Sequence, residues 1–197
     1  MDNEAFSIFA QLDYDITDKT SISFGLSYSE DKKEIISNVI IDDAFAEIPF
    51  ILNPATAALA GFQFFPPFYN YPSAIEDGKW NSDDVTHSVK LIHEVDDTLS
   101  VYLSHSTGFK AISANLSSNA TVYAGLPMDP RIYFADPEEA ESFELGLKKS
   151  YSNGYINLSF FNMTVEGYQS NLFIGTGFKL VNIGEQLHRG IEIDSLF

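Results

Sequence analysis

From Val181 to Phe197 the chain reads V-N-I-G-E-Q-L-H-R-G-I-E-I-D-S-L-F. Every even position from Asn182 to Asp194 is polar or glycine, while Val181, Ile183, Leu187, Ile191 and Ile193 stand at odd positions. A period of two held this long marks a β-strand with one apolar face. Counted from Val181, the strand holds roughly 16 residues, or about 53 Å at about 3.3 Å per residue. That is well past the roughly 9–11 residues with which a strand crosses a bilayer. No turn, cap or polar tail follows Phe197. A strand so long, apolar on one side only and cut off at its end, points to a large β-barrel seen in part.

Six further strands show the same period. Residues 5–14 and 20–29 carry Phe6, Ile8, Ala10, Leu12 and Tyr14, then Ile22, Phe24, Leu26 and Tyr28, on even positions, with Phe9 on the other side. The link D-I-T-D-K between them has odd length, which keeps both apolar sets on one face. Residues 84–95 and 99–109 form a second pair, with Val85, Val89, Leu91 and Val95 beside Leu99, Val101, Leu103 and Phe109. Residues 141–149 and 154–166 form a third, with Phe143, Leu145 and Leu147 on the face of Ile156, Leu158 and Phe160. Asn153-Gly154 supplies its turn. The expected fold class is all-β, an antiparallel meander.

The connections alternate. Turns near 15–19, 96–98 and 150–153 are tight, whereas 30–83, 110–140 and 167–178 are long. Short turns at one end and long loops at the other are the pattern of an outer-membrane barrel. An odd number of strands in a meander leaves the first and last parallel, so they cannot close antiparallel. An open edge in lipid leaves backbone groups without partners, at several kcal/mol each. The chain is therefore expected to be part of a barrel, completed by further strands.

Composition narrows the partners. The formal charge is −17, with 11 Lys and Arg against 28 Asp and Glu, which argues against nucleic acid and against anionic lipid docking. Arg131 and Arg189 are the arginines, so an anionic iron chelate would find few cations here. With no cysteine, thiolate metal sites, disulfides and cysteine nucleophiles are excluded. Aromatic residues are abundant, at 17 Phe and 10 Tyr. The start M-D-N-E-A-F has neither the basic nor the apolar region of a signal peptide, so for an exported protein the leader would be missing or already removed.

Three stretches then carry a family resemblance: Y-L-S-H-S-T-G-F-K at 102–110, E-S-F-E-L-G-L-K-K at 141–149 followed by Y-I-N-L-S-F-F-N-M, and N-I-G-E-Q-L-H-R-G-I-E-I at 182–193. The pair D-Y-D-I-T-D-K-T-S-I-S-F-G-L-S-Y-S-E-D-K-K at 13–33 adds a fourth. In this order they resemble the β-barrel of TonB-dependent outer-membrane receptors. The resemblance implies that residues 1–197 form about seven strands of a large transmembrane barrel of roughly 22 strands with a plugged lumen. Neither a plug domain nor a TonB box is present in the sequence. It further implies a place in the bacterial outer membrane, among its lipid. The implied partners are the rest of the barrel, an N-terminal plug, the TonB complex and a small ligand such as a ferric siderophore. Gly108, Gly146 and Gly190 fall on the face away from lipid, where glycine admits a close neighbour. Glu144 and Glu192 fall on the same face, assigned to the lumen.

Candidate ligand residues lie in the longest link: Phe62, Phe64, Phe65, Phe68, Tyr69 and Tyr71, within G-F-Q-F-F-P-P-F-Y-N-Y-P. They read either as a ligand-capturing surface or as the internal packing of a long loop. Asn53-Pro54 can start a short helix there. His87 and His105 are expected as diagonal neighbours near the outer rim, too few for a metal site. The acid pairs Asp42-Asp43, Asp83-Asp84, Asp96-Asp97 and Glu138-Glu139 are expected in loops or turns, where solvation explains them. No phosphate loop and no G-x-S-x-G element is present, and neither enzymatic activity nor a cofactor is expected. N-x-S/T occurs at Asn115, Asn119, Asn157 and Asn162, the last two within strands.

The expected function is a fragment of an active-transport receptor for a scarce nutrient, most often an iron–siderophore complex, not competent for transport alone. The alternatives are part of a passive porin-like channel, or a soluble secreted β-sandwich that binds sugars or proteins.

Overall fold

The alternating residues set out above pair into strands as soon as each finds a neighbour with its apolar residues on the same side. The computed structural model describes residues 2–39, 48–49, 52–59, 73–114, 134–173 and 178–197, with backbone alone at 37–39, 73–77 and 178–179. In chain order the strands are β1 Asp2–Thr17, β2 Thr20–Val39, β3 Ser73–Asp96, β4 Leu99–Lys110, β5 Ser113–Ala114, β6 Phe134–Ala135, β7 Glu138–Tyr151, β8 Gly154–Glu166, β9 Gln169–Phe173, β10 Phe178–Asn182 and β11 Glu185–Leu196. Seven of these form one antiparallel sheet in the order β1-β2-β3-β4-β7-β8-β11. β5 pairs with β6, and β9 with β10, as two small hairpin-like pairs beyond the main sheet. Asn53 starts a turn, its Oδ1 accepting from Ala55 N–H at 3.0 Å, and a short 3-10 helix follows only at Ala57–Leu59.

The register carries the expected pairs. Leu12 lies opposite Phe24, Leu91 opposite Leu103, and Leu145 opposite Phe160. The first two links are tighter than their odd length indicates. Asp18-Lys19 and Asp97-Thr98 are two-residue turns, and a register shift beside each, between Asp15 and Thr17 and between Glu94 and Asp96, inserts one extra residue. The bulge restores the parity that a two-residue turn alone would reverse.

Two expected boundaries are corrected. The link 30–83 is much shorter, because β2 runs on to Val39 and β3 begins at Ser73. Here both faces are polar, as in E-D-K-K-E at 30–34, so no apolar period announces the strand. The last strand of the sheet is shorter than 181–197. Val181 and Asn182 belong to β10, and the chain breaks at Gly184 (φ 41°) before β11 starts at Glu185. A positive φ is open to glycine at little cost. The link 110–140 likewise contains β5, β6 and the start of β7, and the link 167–178 contains β9 and ends at the first residue of β10.

The apolar face has no cover among the described residues. Phe6, Leu12, Tyr14, Ile191 and Ile193 are all more than half exposed, Ile193 at 70%. A β-sandwich would bury these side chains against a second sheet. An uncovered apolar face of this extent needs another apolar phase. Its outer margin is marked by Phe6, Tyr28, Phe143 and Phe160, with Glu4, Glu30, Glu141 and Asn162 directly above them. Aromatic girdles of this kind border the apolar band of outer-membrane barrels.

The margin also slopes. The cross-strand row through Ile191 and Phe160 runs by Leu145, Leu103, Leu91 and Ile22 to Tyr14. On β1 the margin is at Phe6, eight residues nearer the outer end than Tyr14. That is about 27 Å along the strand over about 29 Å across six inter-strand steps, a slope of roughly 43°. Barrel strands tilt by about 35–45° in the outer membrane. The apolar band thus stays level in a bilayer while the strands cross it obliquely.

Candidate functional site

Above the apolar band the opposite face of the sheet forms a small core of its own. Ile35, Ile112 and Phe134 are buried, Ile35 at 2% exposure, with Trp80 and Ala114 packed against them. Ile35 and Trp80 share the polar face of β2 and β3 because that face alternates with the apolar one. The Trp80 and Phe134 ring centroids are 3.3 Å apart. Ile112 N–H donates to Ser82 Oγ at 3.3 Å, and its carbonyl accepts from Lys33 Nζ. The β4–β7 connection therefore folds back over the inner face, as loops do at the mouth of a filled barrel.

Two amides fasten this mouth. Gln169 donates through Nε2 to the carbonyls of Ala111 (3.1 Å) and Asp136 (2.8 Å), and its backbone N–H donates to Glu138 Oε1 at 2.6 Å. Glu138 also pairs with Lys110 at 2.7 Å. Asn182 accepts from Asp136 N–H at 2.7 Å and donates to the carbonyls of Asp136 (2.9 Å) and Gly167 (2.5 Å). The connections β4–β7 and β8–β11 thus share one hydrogen-bond set. Asn182 shares the even-position series of Gly190 and Glu192, yet it belongs to β10 and serves the mouth and not the wall. Sequence periodicity could not find Gln169 or Asn182, since their partners are backbone groups of distant segments.

Lower down, the inner wall is lined with small hydroxyls: Ser23, Ser88, Ser104, Ser106, Ser142 and Ser159 alternate with the apolar positions. Tyr102 O–H donates to Glu144, and its ring lies over Gly146, where a β-carbon would collide with it. Phe161 covers Gly190 in the same way. These are the close neighbours expected of the two glycines. Lys90 Nζ stands 4.3 Å from the Tyr102 ring centroid and Lys148 Nζ 5.8 Å from it, a cation–π arrangement on the lumen side.

The aromatic candidates Phe62, Phe64, Phe65, Phe68, Tyr69 and Tyr71 lie outside the described residues, as do Asp42, Asp43, Asn115, Asn119 and Arg131. His87 and His105 are diagonal neighbours as expected, with Nε2 and Nδ1 3.2 Å apart. They stand on the outward face, together with Arg189, which donates to Asn162 Oδ1 at 2.7 Å. Asp83-Asp84 lie within β3 and Glu138-Glu139 open β7, so these pairs are in strands and not in loops. Asp96 closes β3 at the turn. Its carboxylate accepts from the hydroxyl and N–H of Thr98 (2.6 and 2.8 Å), which holds it below the ordinary aspartate range, with Lys149 adding a smaller pull at 3.7 Å. Among the described residues, no three His, Asp or Glu side chains are placed to hold a metal ion.

The arrangement is a wall with an apolar outer face, a hydroxyl-lined inner face and a folded mouth. A family model for the TonB-dependent receptor-like β-barrel matches residues 1–196. Solved structures share the fold at low identity. The ferric yersiniabactin uptake receptor of Yersinia pestis superposes with a TM-score of 0.66 at 18% identity, over 98% of this chain and 24% of that one. The ferric-catecholate import receptor of E. coli K12 gives 0.61 at 14% identity, over 98% and 25%. The siderophore receptor of Acinetobacter baumannii gives 0.60 at 20% identity, over 98% and 23%. The chain thus spans about a quarter of the length of these receptors. No curated protein matches it.

Proposed function

From a chain that belongs to the TonB-dependent receptor-like β-barrel family, we propose the wall and outer mouth of a receptor that imports a scarce nutrient, with a ferric siderophore as that nutrient. Proteins of this family sit in the bacterial outer membrane, and the apolar, aromatic-bordered outward face fits that place. In the whole receptor, the open edges at β1 and β11 pair with further strands. A plug fills the lumen beside the hydroxyl-lined wall, and the TonB complex supplies the energy.

The observation that carries this reading is the match of the family model over residues 1–196, on a sheet whose two faces are sorted as a membrane wall requires. The siderophore receptors among the structural neighbours support the choice of nutrient. The mouth has the build of a ligand platform, since the β4–β7 and β8–β11 connections are locked to each other and to the wall.

The experiment is uptake of radiolabelled iron, presented on a panel of siderophores to iron-starved cells. One strain carries the full-length gene and another lacks it. Energised uptake that needs both the gene and TonB is the expected result. Uptake that persists without TonB would place the protein among passive channels. Failure with every siderophore, together with TonB-dependent uptake of another nutrient, would keep the receptor and remove the siderophore.

A further inference from the structure

The wall is not continuous to its top. β3 pairs with β4 from Asp96/Leu99 up to Ser88/Ser106. Beyond that level β3 continues to Ser73 with β2 as its ladder partner, and β4 continues to Lys110 with β7 as its partner. A cleft of about 570 Å³ opens there, lined by Val85 and His87 of β3, Thr107 and Gly108 of β4, and Glu139 and Glu141 of β7. At its foot side chains replace the missing ladder. His87 N–H donates to Thr107 Oγ at 3.0 Å, His87 Nε2 meets His105 Nδ1 at 3.2 Å, and His105 Nε2 meets Glu141 Oε1 at 3.0 Å.

We propose that His87, His105 and Glu141 form a proton-counting latch across this split, closed with up to one added proton and open with two. The chemistry of the ring nitrogens fixes the sequence of bonds. A carboxylate only accepts, so Glu141 requires a proton on His105 Nε2. A neutral His105 then presents a bare Nδ1, which accepts from His87 Nε2–H. His87 Nδ1 is left as the open acceptor, 3.4 Å from the Thr107 hydroxyl. One added proton goes to His87 Nδ1 and breaks neither ring-to-ring nor ring-to-carboxylate contact. A second proton must go to His105 Nδ1, where two N–H groups then face each other across the same gap. The ring-to-ring bond between β3 and β4 is lost, two cations stand with ring centroids 5.0 Å apart, and the His87 N–H bond to Thr107 is left as the remaining tie at the foot of the split.

The surrounding charges are acidic: Asp84 from β3, Glu139 and Glu141 from β7, Glu166 from β8 and Glu185 from β11 line the cleft. Leu26 of β2 lies opposite His87, and Phe143 of β7 packs on His105 at 4.4 Å between ring centroids. Arg189 is the nearest fixed cation in the same cross-strand row, held by Asn162. The latch fails by the position of the second proton, which sets two N–H groups against each other. Histidine as a side chain changes charge between about pH 5 and 8, which sets the two pH values to compare. The consequence is a local opening of the outer wall between β3 and β4, with the ladder below Ser88 intact.

The test is hydrogen exchange on the full-length receptor folded in lipid vesicles, at pH 8 and pH 5, corrected for the intrinsic pH dependence of amide exchange. The amide of His87, bonded across the split to Thr107, should exchange at least about tenfold faster at pH 5, while 99–103 and 145–160 stay unchanged. His87→Gln should abolish the difference, because Gln bonds to His105 without taking up a proton. His93→Gln, on a histidine bonded to Thr20 far from the split, should leave it in place. Equal corrected rates at both pH values in the unmodified receptor would overturn the proposal, as would a uniform loosening of the whole sheet. A difference that survives in His87→Gln would do the same.

Discussion

The two faces of the seven-stranded sheet share one backbone and differ at every second residue. Outward, β7 presents Phe143, Leu145 and Leu147; inward, it presents Ser142, Glu144, Gly146 and Lys148. The outward set is interchangeable in kind, because lipid asks only for apolar area. The inward set is specific in shape, because Tyr102 must lie over Gly146 and reach Glu144. The same backbone spacing therefore serves two different demands, bulk solvation on one side and individual contacts on the other.

Arginine substitution separates these demands most strongly. Leu145→Arg places a charge near the middle of the outward band and should cost about 2–4 kcal/mol, as charge does on the lipid face of such barrels. Ser104→Arg on the inward face should cost less than about 1 kcal/mol, since lumen positions tolerate charge. Urea unfolding of the full-length receptor in vesicles measures both. Equal costs would erase the distinction between the faces.

A steric change probes the inward face alone. Gly146→Val drives a side chain into the Tyr102 ring and should destabilise by about 1–3 kcal/mol, as overpacking does. Adding Tyr102→Ala should recover most of that loss, because the colliding ring is gone. Independent, additive effects of the two changes would show that the ring does not rest on the glycine.

The smallest expected effect lies at the turns, outside both faces. Asp96 is held below the ordinary aspartate value near 3.8 by Thr98. A depressed carboxyl stabilises the fold above its unfolded pKa, and this contribution is lost as pH falls through the lower folded value. Asp96→Asn should therefore weaken the β3–β4 turn slightly at neutral pH, with the difference from the parent shrinking in acid. An Asp96 titration midpoint at or above 3.8, followed by NMR, would contradict this.

The sequence displayed these faces only where lipid enforces them. Between Ile22 and Tyr28, or Phe143 and Leu147, every second residue must be apolar, so the strands and their register were legible. From Glu30 to Val39 and from Ser73 to Asp84 the strands rise into water. Neither side need be apolar there, and the period vanishes although the ladder continues. At 181–183 the reverse occurred: the period of two ran on through Gly184 into a different hairpin, β9–β10, and lengthened the last strand falsely. The adjacency of His87 and His105 followed from the register of a short turn. The mouth did not, since Gln169 and Asn182 bond to main-chain groups that no local pattern predicts.

The central claim is that one face meets lipid and the other the lumen. A nitroxide scan of positions 143–148 in the full-length receptor, reconstituted in a bilayer, tests it most directly. Accessibility to oxygen, which concentrates in lipid, and to a water-soluble nickel chelate should alternate with a period of two. Positions 143, 145 and 147 should favour oxygen, while 144 and 148 should be protected from it, with Gly146 left unlabelled because the Tyr102 ring covers it. A flat profile, or oxygen favouring the even positions, would contradict the account.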